Sequence, residues 1–89
     1  MLQEISLPAT DVGEGTRRAM GAIEAYLARH LHAADTEDGV ARWWLPEMGV
    51  DVPLAEARLA LQLLAEQGRV ERRPLPGGTL IWRAAPARP

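Results

Sequence analysis

Apolar positions recur along this chain with a helical period three times and then with a strand period twice. The stretch "GTRRAMGAIEAYLARHLH" carries Ala19, Met20, Ile23, Leu27 and Leu31 on one helical face. Thr16 is placed to cap its start. His30 and His32 close it, where a cationic imidazole suits the helix dipole. The next stretch, "DTEDGVARWWLPE", begins with acids that suit a helix start. Asp35 is the expected cap, Asp38 a short relative of the capping-box acid, and Glu37 and Asp38 lie in the first turn. Val40, Ala41 and Trp44 form its inward face. Trp43 lies about 100° round the helix from Trp44 and belongs at the core margin, partly exposed. Pro46 is expected to end this short helix, and "PEMGVD" to be a turn. Asp51 or a neighbour caps a third helix that admits Pro53 in its first turn. Ala57, Ala60, Leu61 and Leu64 form its inward stripe, and Gly68 suits its C-terminal end.

"RVERRPLPGGTLIWRA" then reads as strand, Pro-Gly-Gly turn and strand. Val70 points inward on the first strand, and Leu80 and Trp82 share a face of the second. Residues 1–14 hold no sustained period and contain Pro8 and Gly13, so they are expected to form an N-terminal arm. Residues 15–84 make the folded domain, and 85–89 a flexible tail. The expected class is α+β: three helices followed by a C-terminal two-stranded hairpin.

Composition narrows the function. Eighty-nine residues suffice for one small core. There is no cysteine, hence no disulfide and no thiolate metal site. No apolar run approaches membrane-spanning length and no secretory signal opens the chain, so the expected location is cytoplasmic, with no membrane partner. All ten basic residues are arginine, which an overall coding bias explains. The net charge of −2 hides an asymmetry. Residues 1–51 hold nine acids against four arginines, and residues 52–89 hold three acids against six arginines. A basic C-terminal portion on an acidic body can steer a polyanion to one end.

Catalysis finds little support. Ser6 is the lone serine and lies in the arm. His30 and His32 are two apart, so they do not share a helix face as a metal pair would. "PGGT" has neither the lysine nor the following helix of a phosphate loop. The expectation is a protein that is not an enzyme, with no cofactor and no metal.

The order of elements, and the residues within them, resemble a winged helix-turn-helix domain. "GVARWWL" looks like that superfamily's second helix. "ARLALQLLAEQGRV" is similar to its third, with Ala60, Leu61, Leu64, Gly68 and Val70 in the matching places. "RRPLPGGTLIWR" looks like the wing, with Trp82 where an aromatic often sits. The resemblance spans about residues 16–84 at superfamily level, although the turn between Pro46 and Asp51 is longer than usual.

Two functions follow. The resemblance implies a DNA-binding, transcriptional-regulator-like module, with the third helix in the major groove and the wing on the backbone. Arg58 and Gln62 are then the base readers, and Arg69, Arg72, Arg73 and Arg83 the wing cations. The alternative is a protein–protein or homodimer interaction module. It draws on Leu54, Leu59 and Leu63, which face outward on the third helix with no place against phosphate, and on Trp43.

Overall fold

A computed structural model describes residues 12–86. Most of the expected arm and the end of the tail lie outside these residues. Helix α1 runs Glu14–Arg29 from an N-cap at Gly13. Thr16 is therefore not the cap; it sits inside the first turn and is buried. Ala19, Ala22, Ile23 and Leu27 face the core, with Met20 packed at its edge. Leu31 falls beyond the helix end and is exposed, so the expected stripe stops one turn early.

Strand β1 is the pair Ala34–Asp35. It makes Asp35 part of a sheet rather than a helix cap. The cap is Thr36, whose Oγ1 accepts from the Gly39 N–H at 3.0 Å. Asp35 Oδ1 in turn accepts from the Thr36 N–H at 2.8 Å. Gly39 fits here because a Cβ at that position would land on the Asp35 carboxylate.

The second helix, α2, is built of three pieces: an α turn Glu37–Gly39, a π turn Val40–Trp44 and an α turn Leu45–Glu47. The Leu45 N–H reaches back five residues to the Val40 carbonyl. Pro46 gives a physical reason for the wide turn. In a regular helix its ring would meet the carbonyl of Arg42, four residues back. Pro46 thus sits within the final turn instead of ending the helix before it. The helix ends at Gly49, φ 79°, with Gly49 N–H on Pro46 O at 2.9 Å and Val50 N–H on Leu45 O at 2.8 Å.

Helix α3 runs Leu54–Glu66, with Pro53 rather than Asp51 at the N-cap. It ends in the same way at Gly68, φ 76°: Gly68 N–H meets Ala65 O at 3.0 Å, and Arg69 N–H meets Leu64 O at 2.9 Å. Strands β2 (Val70–Pro74) and β3 (Leu80–Ala84) form an antiparallel hairpin. Gly77 and Gly78 both have positive φ at its tip. The sheet has three strands in the order β1-β3-β2, one more than the sequence leads one to expect. Among the described residues the architecture is α+β, three helices and a three-stranded antiparallel sheet.

The core lies between α1, α2, α3 and one sheet face. Ile23, Val40, Leu45, Ala57, Ala60 and Leu61 have no exposed surface, and Trp44, Leu64, Val70 and Trp82 have almost none. Trp44 stacks on Tyr26, ring centroids 4.7 Å apart and planes within 9°. No helix among the described residues is long and apolar enough to cross a membrane.

Candidate binding face

Apart from Trp43 on α2, the residues singled out from sequence lie on α3, on the hairpin or, for Arg69, in the turn between them, and their neighbours decide what they can do. Arg58 projects from α3 and donates Nε–H to Glu37 Oε1 of α2 at 2.8 Å. Arg69 pairs with Glu24 of α1. On the hairpin, Glu71 accepts from Arg83 at 2.7 Å and from Arg73 at 3.5 Å. Four of the six nominated DNA contacts are therefore answered by carboxylates of the same chain. Arg72 and Gln62 are the remaining two. The Arg72 guanidinium lies over the Trp82 ring, 5.8 Å from its centroid, and has no carboxylate partner among the described residues. Arg72 stands directly opposite Trp82 in the strand register, on the sheet face that carries Val70 into the core.

Gln62, Arg72 and Trp82 line two adjoining hollows between α3 and the hairpin, of about 330 and 360 Å³. The first extends to Ala65 and Glu66 on α3. The second extends to Thr36 and Glu37 at the start of α2 and to Thr79 and Leu80 on the wing.

The three outward leucines do not form one strip. At about 100° per residue, Leu54 stands roughly 140° round α3 from Leu59. Leu54 and Leu59 are both 39% exposed. Leu63 is half-buried and lines a cleft against Met20 and Gly21 of α1, about 700 Å³ in volume. Trp43, on α2, is 66% exposed. Leu75 and Leu80 at the wing and Leu31 after α1 are exposed as well. No group of three or more potential metal ligands occurs among the described residues.

Of the pairing carboxylates, Glu24 carries no sign of its role in the sequence, and Glu37 reads there only as a helix-start acid. Glu24 and Glu37 meet their arginines across 45 and 21 residues, and no local signal announces that. Glu71 is different. Once the Pro-Gly-Gly turn sets the hairpin register, Glu71 falls directly opposite Arg83.

No protein-family model matches this sequence, and no curated protein matches it at a significant level.

Proposed function

We infer that this chain is a non-catalytic, winged-helix-like binding module whose working face is the outward side of α3 together with the hairpin, and that its partner is a protein. The observation that carries this reading is the state of the arginines. Arg58, Arg69, Arg73 and Arg83 are each paired internally, while Leu59, Leu54 and Leu80 on the same two elements are open to solvent. Each internal pair lowers what a phosphate-binding face gains from counterion release, although Arg73 and Arg83 share the one carboxylate of Glu71. A protein interface instead gains from apolar side chains presented on rigid elements.

The DNA-binding reading draws on a separate observation. The paired arginines remain more than two-fifths exposed. Exposed ion pairs contribute only about 0–1 kcal/mol, so a phosphate can replace the carboxylate at small cost. Arg72 and Gln62 also lie together beside α3.

Leu59→Glu tests the proposal. Leu59 is 39% exposed and so only partly covered, and the variant is expected to lose about 1–2 kcal/mol and stay folded. In sedimentation and in capture of partner protein it is expected to associate more weakly than the parent. A folded Leu59→Glu that keeps every association, or a parent that associates with no protein at all, contradicts the reading.

A further inference from the structure

We propose that the groove between α3 and the hairpin seats an extended acidic–aliphatic segment of the partner protein, with a carboxylate on Arg72 and an aliphatic side chain against Leu80. The proposal rests on the protein-binding reading and adds the chemistry of the partner. Arg72 is the one nominated arginine without an ion pair among the described residues, and it is held on the Trp82 ring. A guanidinium over an aromatic ring still presents N–H donors to the paired oxygens of a carboxylate. Gln62 lies across the groove from Arg72. Its amide forms no side-chain hydrogen bond among the described residues, so it is free to donate to the same group.

The neighbouring acids set the direction of the occupant. Glu37 is already engaged by Arg58. Glu66 lines the hollow at the opposite end from Leu80. An incoming carboxylate is therefore favoured on the Leu80 side of Arg72 and repelled towards Glu66. Leu80, 43% exposed, shares its strand face with Trp82 and forms the apolar wall on that side. Thr79 adds a hydroxyl at the mouth. The two hollows adjoin on one face, so the carboxylate and the aliphatic side chain come from residues two apart on an extended segment, whose successive side chains point to opposite sides.

The test is a titration of the full chain with a capped peptide that carries leucine and glutamate two residues apart, its glutamine isostere and its lysine counterpart, followed by tryptophan emission. A second titration uses random duplex DNA. The glutamate peptide is expected to bind about tenfold or more tighter than the glutamine isostere, a difference of about 1.4 kcal/mol, and the lysine peptide most weakly. Arg72→Gln, checked by melting to be folded, is expected to erase the glutamate preference. Leu80→Ser is expected to weaken the glutamate and glutamine peptides alike. Equal binding of the two isosteres, no binding of any peptide, or a preference that survives Arg72→Gln overturns the proposal. Binding of duplex that depends on Arg72, with no peptide preference, overturns it in favour of a phosphate ligand. If Leu59→Glu loses its protein partner while the peptides show no preference, the protein-binding reading stands and the carboxylate seat alone falls.

Discussion

Trp44→Ala is expected to lower stability by about 3–5 kcal/mol, and Trp43→Ala by less than about 1. The two residues are adjacent, yet Trp44 is 2% exposed and Trp43 66%. Trp44 packs in the core beside Val40 and Leu45 and stacks on Tyr26, so truncation leaves a cavity between α1 and α2. Trp43 has little packing to lose. The π turn contributes to this contrast by bringing Trp44 and Leu45 inward together just before Pro46. Urea unfolding of the two variants measures the difference. Equal losses, or a larger loss at Trp43, contradict the placement of α2.

Trp82→Ala is the second large effect, expected at about 3–5 kcal/mol. Trp82 is 4% exposed on the central strand, paired to Asp35 on one side and Arg72 on the other. Its removal opens the core under the hairpin and takes away the surface on which Arg72 lies. Arg72→Ala, which removes an exposed side chain, is expected to cost less than about 1 kcal/mol. The pair separates the structural role of the indole from the binding role of the arginine. Thermal melts of both variants make the comparison, and a Trp82→Ala protein as stable as Arg72→Ala contradicts the packing described.

The parts of this fold legible in the sequence are those set by local rules. Helix α3 shows its whole inward stripe, Ala57, Ala60, Leu61 and Leu64, and its end at Gly68, because both follow from the helical period and the need for positive φ. The hairpin follows from alternation and from the Pro-Gly-Gly turn. The greater burial of Trp44 over Trp43 also agrees with the helical phase. What escapes is set by distant residues. β1 is two residues long and exists because β3 offers an edge to Ala34 and Asp35. That pairing moves the cap of α2 from Asp35 to Thr36. The π turn escapes a reading that assumes a constant period.

The site divides in the same way. Arg58, Gln62 and the hairpin arginines are visible as outward-facing residues once the inward stripe is removed. The pairing of Arg69 and Arg58 is not, because Glu24 and Glu37 reach them from other helices. The grouping of Leu54, Leu59 and Leu63 is undone by α1, which takes Leu63 into its own cleft.

Titration of a random DNA duplex with the parent protein, over a series of salt concentrations starting low, tests most directly whether the α3–hairpin face serves a protein or a nucleic acid. With four arginines internally paired and a net charge of −2, no saturable binding is expected even at low salt. The contradicting result is saturable binding whose logarithm falls linearly with that of salt, by about 0.9 per phosphate contacted, with a slope that flattens by up to about two units when Arg72 and Arg73 are both replaced by alanine.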